Sequence, residues 1–360
     1  MLLIHKTLKK TIISSLLVCS CLSAIGQKVD ALGRLRANAV MTAVPFLMIG
    51  PDSHLGGMGE VGVAIPNDLN AQFWNPAKYV FSPNTGGISI SYSPWLFGLG
   101  LNDINLAYLS GYYKITKMDA ISMSLRYFSM GKMELRDYEG NNPLGENVYV
   151  NPHEFSIDAA YSRKFTPQLS MAVAGRFIYS NLTTVSNVSS TTEGVKPGIS
   201  GAADIALFYQ KNLKAEKLHK SIIGFGLNIS NIGAKISYSS SMDREFLPAN
   251  LRIGTAYTMY IDKYNSLTFA LDLNKLLVPT TPIYATDSFG VVLRDADGNA
   301  IIEKGRDPRK SSVVGAIVTS WYDAPGGFVE EMSEFIINLG LEYGYNDLLF
   351  IRAGYFNEAK

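Results

Sequence analysis

From Ala120 the chain reads AISMSLRYFS, which sets Ile121, Met123, Leu125 and Tyr127 on one side and Ser122, Ser124 and Arg126 on the other. A repeat of two marks a β-strand with unlike faces. The pattern returns from Glu154, where Phe155, Ile157, Ala159 and Tyr161 oppose Ser156, Asp158, Ala160 and Ser162. It returns again with Leu169, Met171, Val173 and Phe177 against Ser170, Ala172, Ala174 and Arg176. Further on, Leu251, Ile253, Thr255, Tyr257 and Met259 alternate with Arg252, Gly254, Ala256 and Thr258, and Leu267, Phe269, Leu271 and Leu273 with Thr268, Ala270, Asp272 and Asn274. The second face is small and polar almost throughout. Residues 335–345 and 348–357 read as a hairpin turned at Asn346-Asp347. Adding 88–94, 105–115, 132–136, 198–211, 221–229 and 235–239 predicts about 13 strands.

Many of these segments run about 9 to 11 residues, the length that crosses a bilayer at barrel tilt. A soluble β-sandwich also alternates, but its strands are shorter, about 5 or 6 residues, and its domains smaller. In lipid an unpaired backbone group costs several kcal/mol, so spanning strands must close on one another. The fold class predicted is all-β, a transmembrane antiparallel β-barrel.

The start of the chain agrees with export. Lys6, Lys9 and Lys10 precede an apolar run from Thr11 to Ile25, and Ala24-Ile25-Gly26 supplies small residues before Gln27, so residues 1–26 read as a signal peptide. Val18-Cys19-Ser20-Cys21 also weakly resembles a lipid-attachment site. Both cysteines fall inside the leader, which leaves no thiol for disulfides or metal after removal. The leader holds three Lys and no acid, so the 32 basic and 31 acidic residues become 29 and 31 beyond it. That balance argues against nucleic acid as a partner. A composition 47% hydrophobic and 18% charged, with 32 Gly and 20 Tyr, suits a lipid-facing surface. Beyond the leader the best apolar stretch, 39–49, is short and broken by Pro45, so no transmembrane helix is predicted.

Chemistry is sparse. His54, His153 and His219 are the histidines beyond the leader, without HExxH spacing, a G-x-S-x-G elbow or a phosphate-binding glycine loop. No catalytic residue, cofactor or metal is predicted. Asp295, Asp297 and Gly298 read either as a weak calcium loop or, more simply, as a hairpin turn.

Two stretches interrupt the strands. Residues 27–87 precede the wall, assigned to 88–360, and the part from Gly50 to Pro83, rich in Gly, Asn and Pro and holding Trp74, suggests a plug within the lumen or a sealed barrel end. Residues 277–334 form a connection too long to be a simple turn, predicted to face outwards and to carry function. In it Trp321, Tyr322, Asp323, Pro325, Gly326, Gly327 and Phe328 form a candidate partner-binding site; the aromatics either present a contact surface or pack the loop onto the barrel.

The run GGMGEVGVAIPNDLNAQFWNPAKY, from Gly56 to Tyr79, resembles a signature shared by FadL-like barrels and the PorV (LptO) family of Bacteroidetes type IX secretion. Its key positions are Gly57, Met58, Gly59, Asn75, Pro76 and Ala77. TAVPFLMIGPDSHLGGMGEVGVA, SYSPWL, NDINLAYLSGYYKI, SLRYFSMG, EFSIDAAYSRKF and DAPGGF resemble PorV segments in the same order. The resemblance implies a FadL-like barrel of fourteen strands with an N-terminal region folded into its lumen. Since family members continue beyond the position of Lys360, C-terminal strands are expected to be missing and the seam open. It also implies an outer-membrane protein in contact with lipid that binds cargo C-terminal domains at the type IX translocon barrel and hands them to an attachment complex containing a sortase-like PorU. Transport of hydrophobic small molecules and lipid A deacylation are the alternatives it carries.

Overall fold

In the computed structural model the alternating faces are sorted opposite to those of a soluble sheet. Met123 is 60% exposed and Val173 58%, while Ser122, Ser124, Arg126, Ser170 and Arg176 are buried. Ile88, Ile90 and Tyr92 likewise point out from the first strand. Leaving a large apolar side chain in water costs about 1.5–3 kcal/mol relative to burying it. A wall that exposes them on strand after strand therefore has hydrocarbon, not water, as its outer solvent. The structure describes residues 40–357 except 67, 96, 136–137, 140–141, 144–147, 183–195, 214–219, 240–243, 288, 297 and 347. The leader with its cysteines, His219, Asp297 and Asp347 lie outside the described residues.

The wall is one antiparallel sheet in strict sequence order: β1 (Gly86–Pro94), β2 (Ile104–Lys114), β3 (Asp119–Met130), β4 (His153–Lys164), β5 (Leu169–Asn181), β6 (Gly198–Leu213), β7 (Ser221–Gly233), β8 (Asn250–Tyr260), β9 (Asn265–Leu276), β10 (Ile336–Tyr345) and β11 (Leu349–Asn357). Each strand pairs with its neighbours in the chain, and β1 and β11 are the sheet's two edges among the described residues. Among the described residues the wall has eleven strands, two fewer than the thirteen read from periodicity; the fourteen implied by resemblance included C-terminal strands not expected within this chain. The two segments that drop out are short. Met133–Leu135 pairs with Val148–Val150 in a separate two-stranded sheet, and 235–239 contributes one bridge, Ile236 to Glu245. At about 3.3 Å per residue, neither can cross a bilayer.

Connections alternate in length. Residues 115–118, 165–168, 261–264 and 346–348 join strands at one rim, and 131–152, 234–249 and 277–335 at the other. The Asn346 turn is tight: its φ of 54° is left-handed, and Leu348 N–H donates to Tyr345 O at 3.0 Å. The segment with Asp295 is a turn as well, with Gly298 at φ +83° donating to Asp295 O at 3.0 Å.

The membrane reading predicts an unusual cost. Val173→Arg places a charge on the outer wall at mid-strand, which in lipid destabilises by about 2–4 kcal/mol. The same change at an exposed position in water stays within about 0.5 kcal/mol. Urea unfolding of the protein in lipid vesicles measures the difference, and a negligible change would contradict a lipid-facing wall.

Candidate functional site

Residues 40–85 lie against the inner face of the wall, and the polar side chains there address their backbone. Asp272 Oδ2 on β9 accepts the N–H groups of Gly62 at 2.7 Å and Val63 at 3.0 Å. Arg126 on β3 donates to Phe46 O at 3.2 Å and Leu47 O at 3.0 Å, and its guanidinium lies 4.5 Å over the Phe73 ring. Arg252 on β8 donates from Nε to Asn274 at 2.8 Å and stacks 4.6 Å over Trp74. Trp74 in turn donates to Asp52 at 2.8 Å. The segment has little regular structure of its own, with two one-turn α-helices, α1 (Ser53–Gly56) and α2 (Ala71–Trp74), and two short 3-10 helices, Pro45–Met48 and Pro76–Phe81, so much of its backbone needs such partners.

The six signature residues act as anchors at two separate places. Asn75 is fully buried: its Nδ2 donates to Val63 O at 3.0 Å and to Leu207 O of β6 at 2.8 Å, and its Oδ1 caps Ala77 N at 3.1 Å. Pro76 opens the 3-10 helix Pro76–Phe81, where a missing N–H costs nothing. The carbonyls of Pro76 and Ala77 accept from Ser162 of β4 at 2.8 Å and Ser170 of β5 at 2.6 Å. Ala77 packs on Ala172, Ala206 and Phe208, a contact that suits a small side chain. Gly57 N–H closes α1 onto Ser53 O at 3.0 Å, and Met58 is buried beside Leu55, Val61 and Trp74. Gly59, at φ +74°, lies against the backbone of Leu339 on β10 and Tyr355 on β11. Gly-Met-Gly thus meets β10 and β11, Asn-Pro-Ala meets β4 to β6, and β7 to β9 lie between them in the sheet.

A second buried cluster lies within the wall. Arg176 on β5 pairs with Asp158 of β4 at 2.5 Å and Asp204 of β6 at 2.9 Å, and also donates to Asn231. At Asp204 the register between β6 and β7 slips, and Asn231 takes a left-handed φ of 61° so that its N–H reaches Asp204 Oδ1 at 2.8 Å. This is a β-bulge, with two residues facing one. Asp158 and Arg176 were visible in the sequence as charges on the small face; that they share one ion-pair cluster was not.

The long connection is built on a buried polar base. Lys275, at the end of β9, places Nζ 2.7 Å from Glu331 and 2.6 Å from Glu334. Glu331 also accepts Ala324 N–H at 3.2 Å, and Thr280 Oγ1 lies 3.0 Å from Asp323 and 2.7 Å from Glu334. Burial, followed by the nearby Glu331 and Glu334 carboxylates, pushes the Asp323 carboxyl above its ordinary value. Two helices rise from this base, α3 (Val313–Thr319) and α4 (Phe328–Ser333).

The seven candidate partner-binding residues divide accordingly. Asp323 is turned inward, and Pro325, Gly326 and Gly327, the last at φ +75°, shape the turn into α4. Trp321 is exposed, with its ring 6.2 Å from Phe335, as is Tyr322, with Arg306 5.1 Å over its ring. Phe328 is 75% exposed. Sequence reading missed Val314, Val318, Val329 and Met332, which α3 and α4 also expose. A four-residue apolar spacing in VVGAIV was the available signal for the first two.

Residues 34–283 match the family model described as type IX secretion system protein PorV, well over half of the chain. The chain belongs to the PorV family. This PorV-family chain is accordingly an outer-membrane β-barrel protein of the type IX secretion system, as the outward apolar wall requires. The match takes in the signature segment and β1 to β9, and it ends before Trp321. No curated protein matches the chain. Among solved structures it is similar to the Pseudomonas putida toluene transporter TodX, with 13% identity, TM-score 0.43, and 84% of this chain and 82% of that one covered. It is also similar to the Ralstonia pickettii toluene transporter TbuX, with 11% identity, TM-score 0.40, and 86% of each chain covered. A third is a Pseudomonas aeruginosa FadL homologue, at 12% identity and TM-score 0.36, with 86% of this chain and 80% of that one covered. The family assignment rests on the PorV match.

Proposed function

We propose that this PorV-family protein binds secreted cargo through the cargo's C-terminal domain at the type IX translocon barrel, then passes it to the surface attachment complex that includes a sortase-like PorU. The work is binding and transfer, without bond-making by the protein. Residues 40–85 serve as a plug that holds the lumen and stiffens the wall, and the long connections face the cell exterior, where cargo emerges.

One observation carries this reading: Tyr322, Phe328 and Val329 stand exposed on a loop whose base is fixed by the buried Lys275, Glu331 and Glu334 cluster. An apolar surface exposed to water is costly unless a partner covers it, and rigid aromatic anchors lose little entropy on binding. The joint change Tyr322→Ser, Phe328→Ser and Val329→Ser spares Asp323, Glu331 and the wall. Cargo secretion and surface attachment are expected to fall about thirtyfold, the size of one lost anchor of about 2 kcal/mol. The amount of folded barrel in the membrane stays constant. Full secretion by this variant at normal barrel levels would refute the assignment of the loop.

A further inference from the structure

The outer wall carries a groove of about 560 Å³ that crosses β8, β9, β10 and β11. It comes from two breaks in an otherwise bulky surface. Along one cross-strand row, Tyr257, Phe269 and Leu341 are followed on β11 by Ala353, and along the next, Leu271, Leu339 and Tyr355 are preceded on β8 by Thr255. The row between them points inward and consists of Ala256, Ala270, Gly340 and Gly354, so the floor beneath the outer side chains is almost bare backbone. Behind that floor lies the signature turn: Gly354 and Gly340 face Met58 and Gly59 too closely to carry a side chain inward.

We propose that this groove is a binding site for a single acyl chain of an outer-membrane lipid. The inference rests on the lipid-facing wall and is independent of the cargo reading above. The groove sits at the middle of its strands, with Thr255 central in Asn250–Tyr260 and Ala353 central in Leu349–Asn357. Its occupant therefore lies at the depth of lipid hydrocarbon. A polypeptide backbone laid there would leave N–H and C=O groups without partners, at several kcal/mol each. An acyl chain has no such groups along its length, and it gains dispersion contact from Tyr257, Phe269 and Tyr355 on three sides. The site also lies directly over the place where the Met58-Gly59 turn touches the wall, so the held chain covers a stretch of wall whose inward row is only Ala and Gly.

Lipid retention tests this. The purified full chain in nanodiscs, transferred to detergent and observed by native mass spectrometry, is expected to keep one phospholipid per protein. Ala353→Trp fills the groove at its small residue on β11 and lowers that retention about tenfold, equivalent to about 1.4 kcal/mol. Ala159→Trp, at another outward alanine on the distant β4, leaves it unchanged. Equal retention in the two variants would overturn the proposal. Should Ala353→Trp fail to fold, the wild-type protein decides the matter. A phospholipid with a diazirine in its acyl chain must then crosslink preferentially to peptides from β8 and β11, and uniform labelling of all outward strands, or occupation of the groove by a co-purified protein segment, would end it.

Discussion

Arg176→Leu should cost the barrel about 3–5 kcal/mol, the typical penalty for removing one partner from a buried ion cluster. Arg176 holds two carboxylates at once, Asp158 at 2.5 Å and Asp204 at 2.9 Å, and all three are buried. Without the guanidinium, two like charges face each other in a low-dielectric interior. Their repulsion is relieved only by taking up protons or opening the wall. Asp204 also fixes the bulge through the Asn231 N–H, so the loss spreads to the pairing of β6 with β7. The measurement is the urea midpoint of the protein folded in lipid vesicles. A second variant separates charge from packing. Arg176→Leu combined with Asp158→Asn and Asp204→Asn removes the stranded charges and should recover more than half of the loss, since a neutral replacement of a whole buried cluster is often tolerated. A triple variant no more stable than the single one would show that the charges do not govern this part of the wall.

Gly59→Ala should be the next most damaging change, at about 3 kcal/mol from two sources that add. The first is conformational. Gly59 has φ +74°, where an L-residue with a Cβ loses about 1–2 kcal/mol. The second is steric, because a methyl there would lie 2.7 Å from Tyr355 N and 2.9 Å from Leu339 O. These are backbone atoms in paired strands and cannot rotate aside. Gly298 provides the control: it too has a positive φ, +83°, yet nothing lies within 4 Å of a methyl at that position. Gly298→Ala should therefore lose only the conformational share, about 1 kcal/mol. Protease sensitivity of residues 40–85 distinguishes the mechanism further, since Gly59→Ala should loosen that segment from β10 and β11. Equal effects of the two glycine changes would mean that the signature turn does not press on the wall.

These predictions concern residues that a reading along the chain could place only in part. Period-two alternation identified all eleven wall strands, and it assigned Met123 and Val173 to one face and Ser124 and Arg176 to the other. It also admitted 132–136 and 235–239, because a few alternating residues occur in any half-exposed segment and length is what distinguishes a spanning strand. The Gly-Met-Gly and Asn-Pro-Ala elements were recognisable as a family signature, but their work was not. In the structure each element secures residues 40–85 to a different group of strands. In the long connection, aromatic residues marked the candidate surface, while Asp323 proved to belong to its base.

What the amino-acid order determined by itself was local: which residues extend, which face each side chain takes, and that the outward face is too apolar for water. Those properties depend on neighbours one or two positions away. Only the tertiary structure decided which distant groups meet, such as Asn75 with Leu207, Asp272 with Gly62, and Lys275 with Glu331. Such pairings depend on strand register and on the path of residues 40–85 along the inner wall, and both are settled when many weak contacts are satisfied together.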